Sequence, residues 1–186
     1  MDCKEILNKI ANEYYRILGK NLIGIYVHGS IAFGCFNPNK SDIDFIVVVN
    51  NLPTMEEKEA LIQTLLYLYE DAPTKGYEMS VVLYRFCKEF VYPTPFELHY
   101  SIAHLQRCRD NLREYCISMN GTDKDLAAHF TVIKKVGYTI WGKENLSKEF
   151  RPLLSKALNN YKSEIEEIFD RKLSIEFCKY MIEKIY

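Results

Sequence analysis

Two apolar runs separated by a polar loop constrain the fold of this chain most. Residues 22–27 and 41–49 are rich in isoleucine and valine, and each has the length of a buried strand. Between them, Gly29 and Ser30 indicate a sharp turn that opens a short helical segment, and residues 37–40 form a polar loop. The chain must therefore fold around two neighbouring strands that are joined across this turn.

Two aspartates, Asp42 and Asp44, stand at the entrance of the second run. Because side chains alternate across a strand, the two carboxylates share one face while Ile43 points to the other. Like charges held this close are unfavourable unless a cation binds between them, and hard divalent ions such as Mg²⁺ suit carboxylate oxygens. The pair predicts a metal site, although such a pair is more often a solvated loop feature or a cap.

The segments on either side predict the architecture. Apolar spacing predicts an amphipathic helix over residues 2–18, and a capping box of Thr54 and Glu57 opens a second helix that extends to about residue 71. Residues 77–86 read as a third strand. This order of elements, helix, strand, strand, helix and strand, predicts an α+β fold in which helices flank a small mixed sheet.

A third carboxylate, Glu78, opens the third run. If the third strand lies beside the second, Glu78 reaches the pocket of Asp42 and Asp44 and completes a metal site of three carboxylates. The alternative is a solvated charge at a strand edge. The Gly29–Ser30 turn adds backbone N–H groups and a hydroxyl, which suit phosphate oxygens.

The later segments carry weaker patterns. We expect an edge strand at 97–100, a helix at 104–116, a helix capped by Thr122 and Asp125 that ends at Gly137, and a strand at 138–141. Beyond Gly142 only helical patterns remain. We therefore predict one domain at 1–145 and a short helical C-terminal segment at 146–186.

Composition favours a cytoplasmic protein with neither membrane nor nucleic-acid partners. The formal net charge of -1 gives no sign of a nucleic-acid surface, and no apolar stretch has membrane-spanning length. The N-terminal residues carry charges where a signal peptide needs an apolar run. The six cysteines form no C-x-x-C pair, which favours reduced thiols, and the four histidines lack metal-ligand spacing and read as packed or surface residues.

Four ordered blocks carry a family resemblance: HGSIAFGCFNPNKSDIDFIVVV, YEMSVVL, YPTPFELHYS and DKDLAAHFTVIKKVGYTIWGK. They resemble the polymerase-β-like nucleotidyltransferase superfamily, and within it most nearly the adenylyltransferases that modify streptomycin and spectinomycin. The resemblance implies a nucleotidyltransferase fold and transfer of AMP from ATP, with Mg²⁺, to a hydroxyl of a small aminoglycoside-type acceptor. Ala103 stands where streptomycin-using members carry a tryptophan.

The resemblance also implies roles for individual residues. Asp42 and Asp44 would bind Mg²⁺ as two ions, and Glu78 would accept the proton of the attacking hydroxyl. Gly29, Ser30 and Ser41 would contact the triphosphate, and Ser41 is equally suited to cap the turn before the strand. Lys179 stands where the family carries a phosphate-gripping arginine, and a solvated lysine is the alternative.

Two functional alternatives stay open at this point. One is nucleotidyl transfer to a protein hydroxyl, as in antitoxin-like minimal nucleotidyltransferases. Another is a module that binds nucleotide without turnover. The sequence is also compatible with a homodimer.

Overall fold

The computed structural model describes residues 3–89 and 91–142. Its elements in chain order are α1 (Cys3–Leu18), β1 (Leu22–Val27), α2 (Gly29–Ala32), β2 (Ile43–Val49), α3 (Met55–Tyr67), β3 (Tyr77–Leu83), α4 (Tyr84–Lys88), β4 (Thr94–Phe96), β5 (Leu98–Tyr100), α5 (Leu105–Asp110), α6 (Leu112–Ser118), β6 (Gly121–Asp123), α7 (Leu126–Lys135) and β7 (Tyr138–Gly142). The predicted boundary between residues 145 and 146, and the helical segment beyond it, lie outside the described residues.

The main sheet is mixed, as predicted. Its five strands lie in the order β5-β3-β2-β1-β7. The central strands β2 and β3 are parallel, and every other neighbouring pair in this sheet is antiparallel. Because a parallel pair needs a long crossover, α3 connects β2 to β3, and its N-terminus carries the predicted capping box of Thr54 and Glu57.

One face of the sheet carries the larger core. The alternating residues Phe45, Val47, Met79 and Val81 of the central strands are fully buried on this face. Buried residues of α1, α3 and α6 belong to the same cluster. Tyr14 fixes two of these helices to each other, because its hydroxyl donates to the carbonyl of Leu61 at 3.2 Å.

The opposite face is covered only in part. Ile46, Val48 and Val82 point to this side and pack in a second, smaller cluster with Phe130 and other residues of α7. The same alternation places Asp44, Glu78 and Ser80 on this face, at the end of the strands where β2 and β3 begin. The second face therefore holds both a small core and the predicted site.

Two strand boundaries differ from the sequence prediction. The second strand begins at Ile43 and not at residue 41, because the N–H of Ser41 donates to the carbonyl of Asn37 at 2.8 Å and closes a turn. The third strand ends at Leu83, where the paired strand β2 also ends. Without a ladder partner the following residues satisfy their backbone groups as the short helix α4.

The segment after β5 also differs. The predicted helix at 104–116 is two helices, because Asn111 leaves helical geometry (φ -154°, ψ 86°) and its side chain caps α6 by accepting from the N–H of Glu114. The predicted cap by Thr122 was wrong: Thr122 belongs to β6, where it pairs with Pro95 of β4. This second, two-stranded sheet was not predicted, since Pro95 disfavours a strand by local criteria.

The predicted edge strand and last strand are confirmed as β5 and β7. Within the described ranges, no helix is both long and apolar enough to cross a membrane.

Candidate active site

Two central strands bring the acidic side chains together. Asp44 and Glu78 are directly paired in the parallel β2–β3 ladder, where neighbouring strands lie about 4.8 Å apart. Asp42 precedes β2 by one residue and projects from the turn. One carboxylate oxygen from each of Asp42, Asp44 and Glu78 lies within 4.8 Å of the others. The structure thus places the three predicted residues at one point.

The site is electrostatically strained without a counter-ion. All three side chains are partly buried. Burial raises the pKa of Asp44 to about 7, with further contributions from the charges of Asp42 and Glu78, and the backbone N–H of Ser30 opposes this. Burial, followed by the charges of Asp42 and two further aspartates, raises the pKa of Glu78. A cation between these oxygens would remove the repulsion.

Gly29 is required where the chain turns past these carboxylates. It has φ +61°, a left-handed conformation that side chains rarely adopt. A Cβ built on Gly29 would collide with the carboxylate of Asp44. The preceding N–H of His28 donates to the carbonyl of Asp44 at 3.1 Å. The turn at Gly29 and strand β2, which carries Asp44, therefore pack in direct contact.

The two serines differ in their surroundings. The hydroxyl of Ser30 is buried and has no hydrogen-bond partner among the described residues. A buried polar group of this kind normally has a partner, so a ligand atom is the simplest complement. The hydroxyl of Ser41 accepts from the N–H of Asn37 at 3.1 Å, which is the turn-capping role. Lys179 lies outside the described residues.

Sequence reasoning did not place the loop between β6 and α7 at this site. Asp123 and Asp125 lie close enough that their charges raise the pKa of Glu78. The carboxylate of Asp123 accepts from the N–H of Asp125 at 2.7 Å, which fixes the loop. The D-K-D pattern at 123–125 was the available signal, but the pairing of β6 with β4 that brings it here is not local.

Two histidines join this loop to the turn. His129 of α7 stacks on His28, with ring centroids 4.3 Å apart and an angle of 26° between the planes. His28 is 4% exposed, as its predicted packed role requires. Burial, together with the neighbouring His129, lowers the pKa of His28 to about 2. Helix α7 is thus in contact with the residue immediately before Gly29.

The donor set fits a hard divalent cation. Three carboxylates supply oxygen ligands only, and Mg²⁺ is typically held by a few carboxylates with other positions left to water or phosphate oxygens. The described cysteines and histidines contribute no ligand atom to this cluster. The arrangement can therefore hold a cation beside a turn that offers backbone N–H groups and a free hydroxyl to an anion.

Comparison with known families agrees with this geometry. The model of the nucleotidyltransferase domain family matches residues 4–104, which is more than half of the 186 residues. The chain belongs to the nucleotidyltransferase domain family. The matched range begins in α1 and contains the turn at Gly29 and all three carboxylates of the site.

A spectinomycin-modifying enzyme is similar to this nucleotidyltransferase over part of its length. Spectinomycin 9-adenylyltransferase from Enterococcus faecalis is 43% identical over 61 residues, which are 33% of this chain and 24% of that enzyme. The matched stretch thus spans about a quarter of the relative's length.

The fold is shared with a solved structure. Spectinomycin adenyltransferase AAD(9) from the same organism, crystallised with ATP and spectinomycin, superposes with a TM-score of 0.73 at 22% identity, covering 90% of this chain and 69% of that one. A toxin-antitoxin structure with AMP-PNP gives a TM-score of 0.42 at 18% identity, over 88% of this chain and 95% of that one.

Proposed function

We propose that this nucleotidyltransferase transfers AMP from Mg-ATP to a hydroxyl of a small aminoglycoside-type molecule and releases pyrophosphate. The observation that carries the proposal is the meeting of Asp42, Asp44 and Glu78 beside the Gly29–Ser30 turn. The turn supplies groups for phosphate, and the carboxylates supply ligands for Mg²⁺. The AAD(9) structure, which shares this fold, contains ATP and spectinomycin, and both molecules are compatible with this site.

The reaction needs one bond to form and one to break. The acceptor hydroxyl oxygen attacks the α-phosphorus of ATP, the bond from that phosphorus to the bridging oxygen breaks, and pyrophosphate leaves. Glu78 takes the hydroxyl proton, and its raised pKa makes it a stronger base than an ordinary carboxylate. Asp42 and Asp44 would hold Mg²⁺, which would neutralise negative charge on the attacking and leaving oxygens when bound.

The turn residues bind and orient the nucleotide in this proposal. The free hydroxyl of Ser30 donates to a phosphate oxygen, while the backbone N–H of Ser30 donates to Asp44. Positioning of this kind accounts for a large share of catalysis in phosphoryl transfer, because little covalent chemistry is required of the protein.

Charge favours a cationic acceptor. Asp123 and Asp125 add two carboxylates near Glu78, and aminoglycoside-type molecules carry amines. An acidic pocket attracts such a molecule and orients it. Ala103, which replaces the tryptophan of streptomycin-using relatives, makes spectinomycin the first acceptor to test.

The test is pyrophosphate release with ATP, Mg²⁺ and a panel of acceptors that includes spectinomycin and streptomycin. We expect release with at least one acceptor, and at least a hundred-fold loss in Asp42→Asn and Asp44→Asn, as for removal of a transition-state charge contact. Asp110→Asn is the matched control, because Asp110 is an exposed aspartate on α5. Equal release by all variants would refute the assigned site, and labelling of a protein band by labelled ATP in lysate would favour a protein acceptor instead.

A further inference from the structure

A row of polar side chains crosses the open face of the sheet beside Glu78. Ser80 follows Glu78 by two residues on β3 and so points to the same face. His99 of the edge strand β5 is paired directly with Ser80. Side chains of directly paired residues lie on the same face, so His99 stands one strand away from Ser80 and diagonal to Glu78.

The imidazole of His99 is held in one orientation. Its Nδ1 lies 3.0 Å from the hydroxyl of Ser80, and Ser80 is only 5% exposed. The carbonyl of His99 accepts from the hydroxyl of Tyr115 at 2.5 Å, which fixes the strand backbone. Phe96 contacts the ring edge-on, with centroids 6.0 Å apart. No described residue is hydrogen-bonded to the other ring nitrogen, Nε2.

Asp123 lies near both Glu78 and His99. The charge of Asp123 raises the pKa of both Glu78 and His99, so both lie near this carboxylate. Strand β6, which carries Asp123, belongs to the separate small sheet with β4. Glu78 therefore has His99 on the adjacent strand β5 and Asp123 nearby on the separate small sheet.

We infer that His99 is a specificity-determining residue that hydrogen-bonds the acceptor through Nε2. The inference rests on the proposed function and deepens it. Glu78 takes the proton of one acceptor hydroxyl. His99 binds a second polar group of the same acceptor molecule, which is a hydroxyl or an amine. The acceptor is thereby a polyfunctional molecule and not a simple alcohol. Ser80 is a positioning residue, because it acts only by holding Nδ1.

Two conservative variants separate this role from a purely structural one. Glutamine places an amide where Nε2 lies, whereas asparagine places its amide where Nδ1 lies and keeps only the contact with Ser80. We expect His99→Asn to raise the acceptor KM about tenfold, the value of one hydrogen bond of ordinary strength to a polar ligand, and to leave the KM for ATP unchanged. We expect His99→Gln to stay within about threefold of wild type in acceptor KM.

A structural role would give the reverse pattern. If His99 served only to satisfy Ser80, His99→Asn would keep the wild-type acceptor KM, because asparagine keeps the contact with Ser80, whereas His99→Gln would lower the melting temperature. A wild-type acceptor KM in His99→Asn overturns the inference. Ser80→Ala is the matched control, and we expect it to raise the acceptor KM by less than His99→Asn does.

Binding measurements keep this test separate from the test of the proposed function. Wild type and His99→Asn are titrated with spectinomycin by calorimetry in the presence of Mg²⁺ and a non-hydrolysable ATP analogue. Weaker binding by the variant supports the inference even if no pyrophosphate is released, in which case only the proposed function fails. Equal binding overturns the inference alone. Failure of the wild-type protein to bind any acceptor of the panel overturns both.

Discussion

Replacement of Asp44 by asparagine should make the metal-free protein more stable while it abolishes activity. The folded-state pKa of Asp44 is raised from 3.8 to about 7, mainly by burial. Between these two pH values the folded protein keeps a proton that the unfolded chain has lost, so stability falls as the pH rises from about 4 to 7. This rise in the pKa of Asp44 corresponds to about 4 kcal/mol as an upper value.

Partial solvation of the side chain reduces the expected gain to about 2–4 kcal/mol at pH 8. The assay is urea unfolding of wild type and Asp44→Asn with a chelator at pH 5 and pH 8. The difference in unfolding free energy should be larger at pH 8 than at pH 5, because Asp44 is mostly protonated in the folded protein at pH 5. Added Mg²⁺ should stabilise wild type more than the variant.

A variant that is no more stable than wild type at pH 8 would refute this reasoning. Such a result would mean that the carboxylate is not strained in the metal-free protein and that the acidic cluster has no need of a cation. Asp110→Asn, on the exposed surface of α5, controls for the loss of one negative charge and should leave the stability within about 0.5 kcal/mol of wild type.

Three further predictions concern the turn. Gly29→Ala should cost more stability than Gly34→Ala and should also raise the KM for ATP. Both glycines have positive φ, but only a Cβ at Gly29 meets a neighbour, the carboxylate of Asp44. Equal melting temperatures of the two variants would contradict this prediction. Ser30→Ala should leave stability unchanged or slightly higher, because the Ser30 hydroxyl has no partner among the described residues. The same variant should raise the KM for ATP several-fold. A large loss of stability would instead indicate a structural role for this hydroxyl. His28 should contribute acid sensitivity: its folded pKa of about 2 lies below the ordinary 6.5, so its contribution to stability is complete above pH 6.5 and falls by about 2 kcal/mol at pH 5 as the unfolded chain takes up the proton. His28→Phe removes this contribution, so the stability of wild type relative to the variant should fall by about 2 kcal/mol between pH 7 and pH 5 in urea unfolding.

The sequence predicted the elements whose patterns are local. The stripe of α1, the capping box of α3 and the apolar alternation of β1, β2 and β3 depend on residues within one or two turns of each other, and all five are present. The errors fall where a distant partner decides. Residues 84–86 have strand composition but become helical because β2 ends at Val49, and β4 forms despite Pro95 because β6 supplies its partner.

The candidate site divides in the same way. The turn and the acidic pair at the entrance of β2 could be predicted from the sequence, because glycine adopts a left-handed conformation without strain and closely spaced carboxylates can bind a divalent cation. The register that pairs Asp44 with Glu78, the approach of Asp123, and the stack of His129 on His28 were decided by tertiary structure. The physical reason is that side-chain period is a property of a single strand or helix, whereas register and packing depend on the joint burial of segments far apart in the chain.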